Sequence, residues 1–179
     1  MISLPRLSAL LAAAVLAVPV QVRAHDPSEC WAEVIVRANE MEVLLTMAQV
    51  TALRLVDPAK KIAQFTEENF ATHRPALLKE GETLFAITAL KTNLPPRKVE
   101  VELSEELDIA YRIVFPRPAP GLVVIDAAFL KKLGQGFGGV IDASDTEGHH
   151  LGWDQISSEN SALVVMLPKP GAPADSKKK

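Results

Sequence analysis

Four histidines stand in the 179-residue sequence, His25, His73, His149 and His150, and three of them sit where metal chemistry is conceivable. His149 and His150 follow Asp145-Thr146-Glu147-Gly148, a turn sequence that places a carboxylate four residues before an imidazole, with Asp142 just upstream. His25 follows Ala24, and a cut between the two would leave His25 with both a free α-amino group and an imidazole, with Asp26 beside them. Copper and nickel favour nitrogen pairs of that kind. The expected metal ligands are therefore His25, Asp145, His149 and His150, provided that the 145–148 hairpin tip meets the mature N-terminus. If His149 and His150 lie on a strand they point to opposite faces, so at most one should matter. Cys30, Met41 and Met47 add candidate sulfur ligands for Cu(I).

Other chemistries find less support. Gly134-Gln135-Gly136-Phe137-Gly138-Gly139 satisfies G-x-G-x-x-G, but a dinucleotide site needs that run to follow a strand and open a helix, whereas here it follows a predicted helix and opens a predicted strand. It reads as a glycine connection between helix and sheet. Ser104, Ser144, Ser157, Ser158 and Ser161 lack the context of a nucleophile, and Glu105-Glu106 with Asp108 reads as a solvated turn rather than an acid and base pair. His73, beside Arg74, reads as a surface or helix-packing residue. No catalytic residues and no enzymatic activity are expected.

The cut before His25 follows from the first 24 residues. Arg6 precedes an apolar run of about a dozen residues, Leu7 to Val18, closed by Pro19, and Val22-Arg23-Ala24 offers slender residues to a signal peptidase. The run is short of the roughly 20 residues that a membrane span needs. Residues 1–24 are thus expected to be a cleaved secretory signal, 25–168 one β-rich domain, and 169–179 a Pro and Lys tail with nothing to bury. The product is expected in the periplasm or secreted, with no membrane span. Removal of the leader leaves 17 Lys and Arg against 22 Asp and Glu. An acidic surface without a basic stripe argues against nucleic acid as a partner. Cys30 is the single cysteine and forms no internal disulfide; buried and inert is its expected state.

The mature chain must position these residues with short elements. Trp31 to Arg37 and Met41 to Met47 predict a hairpin around Ala38-Asn39-Glu40. Ala48 to Val56 takes helical spacing, with Val50, Leu53 and Val56 on one face. Thr66 is the expected N-cap of a second helix that reaches Gly81, with Pro75 making a kink or a break. Strands are predicted at Thr83–Lys91, Lys98–Leu103, Asp108–Phe115, Leu122–Asp126, Phe137–Ala143, His150–Trp153 and Ala162–Leu167, with a short helix at 127–133. Alternation such as Val99, Val101, Leu103 against Glu100 and Glu102 buries one face and wets the other. Eight or nine strands with two or three helices predict a mainly β fold, an antiparallel β-sandwich with short helical insertions.

AHDPSECWAEVIVRANEMEVLLTMAQVTAL, the stretch from NFATHRPALL to YRIVFPRP, and FLKKLGQGFGGVIDASDTEGHHLGW together resemble the extracytoplasmic N-terminal domain of the hydrogenase/urease accessory protein family, with Ala24-His25-Asp26-Pro27 the compact motif. The resemblance implies an exported β-rich domain and an association with nickel supply. That family continues into transmembrane helices, whereas this chain continues into PKPGAPADSKKK, so transport is not carried over. A thinner similarity links it to periplasmic copper-resistance β-sandwiches, in which an Asp and a His stand two residues apart; Asp145 and His149 are four apart. Two functional expectations result: a non-catalytic structural or interaction module with a periplasmic or membrane-protein partner, and a copper- or nickel-binding module anchored by His25.

Overall fold

The computed structural model describes residues 28–59 and 61–169. The fold is mainly β, two sheets facing each other with three helices at their margins. β1 (Glu29–Val36) and β2 (Glu40–Met47) form the expected hairpin. Strict alternation sends Cys30, Ala32, Val34 and Val36 inward and leaves Glu29, Trp31 and Glu33 in solvent. β3 (Ala86–Ala89), β4 (Thr92–Leu94), β5 (Lys98–Leu103), β6 (Ile109–Pro116), β7 (Gly121–Asp126), β8 (Gly138–Asp145), β9 (His150–Ser157) and β10 (Ala162–Leu167) follow. The six-stranded sheet runs β5-β6-β2-β1-β8-β9 and the four-stranded sheet β10-β7-β3-β4.

All neighbours are antiparallel except β1 and β8, which pair in parallel from Glu29–Gly138 to Val36–Asp145. The glycine run explains how these two strands approach. A Cβ at Gly139 would stand 2.0 Å from the Cys30 carbonyl oxygen, so only a residue without one fits there. Gly134, at φ +85°, ends the preceding helix. The G-x-G-x-x-G pattern therefore serves backbone geometry, opening a strand.

Helix α1 (Gln49–Val56) buries Thr51, Ala52 and Leu53, while Val50 is exposed. The buried arc is centred one residue away from the face expected from Val50, Leu53 and Val56. Helix α2 (Glu67–Gly81) starts at Thr66, whose Oγ1 accepts from the Asn69 N–H at 3.3 Å while Asn69 Oδ1 accepts from the Thr66 N–H at 2.9 Å. This reciprocal cap anchors a continuous 15-residue helix, Pro75 included. Arg74 Nε donates to the Val101 carbonyl on the edge strand β5, which blunts that edge. Helix α3 (Phe129–Leu133) follows β7.

The expected single strand at 83–91 is a hairpin. Leu90 and Lys91 both take positive φ and turn β3 back into β4, without the Asn-Gly or Asp-Gly signature that usually announces such a turn. Between the sheets lies one core, with Tyr111, Phe65, Phe115 and Phe129 among its largest buried side chains. Ile113 is fully buried, and β5 and β6 pair antiparallel across the Ser104–Leu107 turn as expected.

Candidate functional site

The β8–β9 turn brings Asp145, Glu147 and His149 together, one ligand-capable atom of each lying within 4.8 Å of the others. Gly148, at φ +80°, lets the chain reverse, and its N–H donates to the Asp145 carbonyl at 3.1 Å. Asp145 Oδ1 accepts from the backbone N–H groups of Glu147 and His149, both at 2.9 Å. The other carboxylate oxygen stands 2.9 Å from His149 Nδ1, and Glu147 Oε2 stands 3.5 Å from the same nitrogen. The hydrogen bond from Asp145, followed by its charge, raises the pKa of the exposed His149 imidazole. For Asp145, partial desolvation pushes upward, but the imidazole and the two backbone donors prevail and hold the carboxyl below its ordinary range.

His150, the next residue, opens β9 and belongs to a different pair. Its Nδ1 stands 3.1 Å from Asp142 Oδ1. A register shift between Ala143 and Ser144 accompanies the change of direction. The two histidines are thus in separate pairs, His149 in the turn before β9 and His150 on the strand, so the strand alternation expected to separate them does not apply.

His25 lies outside the described residues. Ser28, the first described residue, accepts from the Gly138 N–H at 3.1 Å and so marks the start of β8, whereas the Asp145–His149 turn follows that strand's far end. Eight strand residues span about 23 Å between those ends. Among the described residues of the expected set, Asp145 and His149 share the turn, while His150 pairs with Asp142 instead.

The candidate sulfur ligands lie inside the fold. Cys30, Met41 and Met47 all point into the apolar core, with Cys30 opposite Met47 in the β1–β2 register. Desolvation, then the nearby charge of Glu29, pushes the Cys30 thiol up to about 12. It is buried, as was expected. His73 packs with its ring centroid 6.2 Å from that of Phe65, and Ser104 Oγ accepts from the Asp108 N–H in the β5–β6 turn, in keeping with the helix-packing and turn readings of those segments.

Two surfaces escaped the sequence reading. On the outer face of the six-stranded sheet Glu42 is buried, accepting hydrogen bonds from Arg37 and Arg112, while Arg112 also reaches Glu100 at 2.8 Å. Burial alone would raise the Glu42 pKa, but the two guanidinium groups outweigh it and hold the carboxyl low. On the outer face of the four-stranded sheet, Leu122 stands opposite Met166 and Val124 opposite Val164. Leu122, Val164 and Met166 are 59%, 56% and 61% exposed. Alternation within Leu122–Asp126 and Ala162–Leu167 carried that signal: both faces of each strand are apolar.

The remaining described residues include no helix long and apolar enough to cross a membrane. Compared with known proteins, the chain matches no family model and none of the curated proteins.

Proposed function

We propose that this chain is an exported, non-catalytic interaction module that docks a protein partner through the outer face of its four-stranded sheet. The observation that carries this reading is the square of aliphatic side chains formed by Leu122, Val124, Val164 and Met166 on β7 and β10. Scattered surface aliphatics are ordinary, but contiguous ones on a flat sheet lose hydration cost when covered and mark contact surfaces. The leader-like pattern of residues 1–24 supports a partner in the periplasm or membrane. The test is retention of a partner from the extracytoplasmic fraction, repeated with the purified pair. Wild-type protein is expected to hold it and the double variant V164K/M166K to lose it with an unchanged circular dichroism spectrum. Equal retention by both would overturn the reading.

A second reading, a copper- or nickel-binding module, draws on the Asp145, Glu147 and His149 grouping alone. Two carboxylates and one imidazole form a hard to borderline donor set, better suited to Ni(II) or Cu(II) than to Cu(I). Calorimetric titration with either ion is expected to give one-site binding that His149→Ala abolishes. An unchanged isotherm in that variant would remove the turn from consideration.

A further inference from the structure

The two tryptophans of the chain, Trp31 and Trp153, are both exposed, at 52% and 60%, and both lie on the outer face of the six-stranded sheet. Registers place them there: Trp31 pairs with Val140 on β8, and Trp153 pairs with Asp142, which in turn pairs with Glu33. Cross-strand partners share a face. Two strand spacings and two residues of rise separate the tryptophan backbones by about 12 Å.

The charges around them are one-sided. Along β1 the outward residues include Glu29, Trp31 and Glu33, a tryptophan flanked on each side by a glutamate whose backbone lies about 7 Å away. Asp142 adds a third carboxylate beside Glu33. No Lys or Arg lies on the outward positions of β1, β8 and β9; His150, paired with Asp142, is the sole imidazole there. Arg37, which follows β1, is held by Glu42, and Arg112, across the sheet on β6, is held by Glu42 and Glu100. Neither Glu29 nor Glu33 forms an ion pair with a described residue; Arg54, over the Phe137 ring, is the cation at the Glu29 end, where Phe137 lines one cavity with Glu29 and Trp31.

The geometry points to a binding site for an extended, arginine-bearing segment of a partner protein, laid along β1 with cations at alternate residues. An extended chain repeats its side-chain direction every two residues, at the same spacing as Glu29, Trp31 and Glu33. A guanidinium stacks on an indole face while pairing in its plane with a carboxylate, which lysine does less well. Charge complementarity is what selects this occupant over a neutral glycan, which would stack on the tryptophans without needing three carboxylates. The site is on the opposite sheet from the aliphatic square and stands independently of it.

Because both tryptophans belong to the site, intrinsic fluorescence reads it directly. Titration with the synthetic peptide Arg-Ser-Arg-Ser-Arg is expected to give a saturable change that weakens about tenfold in roughly 0.5 M salt. The double variant E29Q/E33Q is expected to bind about tenfold more weakly, and W31A, read through Trp153, about fivefold more weakly. V164K/M166K should bind the peptide as wild type does, which separates this result from the fate of the aliphatic face. Wild-type affinity in E29Q/E33Q overturns the proposal. So does an equal response to Gln-Ser-Gln-Ser-Gln or to a neutral cello-oligosaccharide, the latter outcome assigning the face to sugar.

Discussion

Residues of the same chemical type behave differently here according to what surrounds them. His149 sits in water, yet its carboxylate neighbours favour the charged ring, so it should titrate above the ordinary 6.5 in a proton NMR experiment, and Asp145→Asn should bring it back down. The sign follows: a raised folded-state value contributes stability that is complete below 6.5 and is lost as pH rises through the folded value. Cys30 shows the reverse influence of surroundings. The thiolate is the reactive form, and burial suppresses it. Native protein should therefore resist iodoacetamide at pH 8 for hours, while protein in denaturant reacts within minutes; rapid native labelling, followed by mass spectrometry, would contradict the burial.

At the scale of elements, the β5–β6 hairpin offers the sharpest test. Ile113 is fully buried between Val43 and Val99 on its neighbouring strands. Ile113→Asp forces an unpaired carboxylate into the core and should cost about 4 kcal/mol or more, seen as a collapse of the urea midpoint. The boundaries of β5 and β10 and the cap at Thr66 were legible because alternation and capping are local signals. The β3–β4 turn was not, since Leu90 and Lys91 are unusual residues for positive φ. Neither was the parallel pairing of β1 with β8, because strand order depends on packing between distant segments. The candidate site was half legible: turn chemistry at Asp145–Gly148 could be read from residue types, but the pairing of His150 with Asp142, set by the β8–β9 register, could not.

For the whole molecule, acid stability should depend on Glu42. Its carboxyl is held below the ordinary 4.5, so its contribution is present above that pH and is lost as pH falls through the lower folded value. Glu42→Gln should cost about 1–2 kcal/mol at neutral pH, less than a fully enclosed pair because Arg37 and Arg112 are part-exposed. Urea midpoints measured from pH 7 to 3 should converge between variant and wild type as the pH drops; a constant gap would assign the loss to packing instead. The same outer face combines this charge lattice on β2, β5 and β6 with an aromatic strip on β1, β8 and β9 that carries no Lys or Arg. One sheet thereby presents two electrostatically distinct halves.

The parallel β1–β8 ladder has a kinetic meaning as well. It joins residues about a hundred positions apart, whereas the β1–β2 hairpin closes locally. Closing so long a loop costs entropy before any contact is gained, so contact order makes completion of the six-stranded sheet slow relative to the hairpin. Until β8 arrives, β1 is a bare edge with its N–H and C=O groups unpaired and free to template another chain. Nascent or truncated protein ending before Gly138 is for that reason the aggregation-prone species, and the last quarter of the sequence acts on β1 as a built-in guard against self-association.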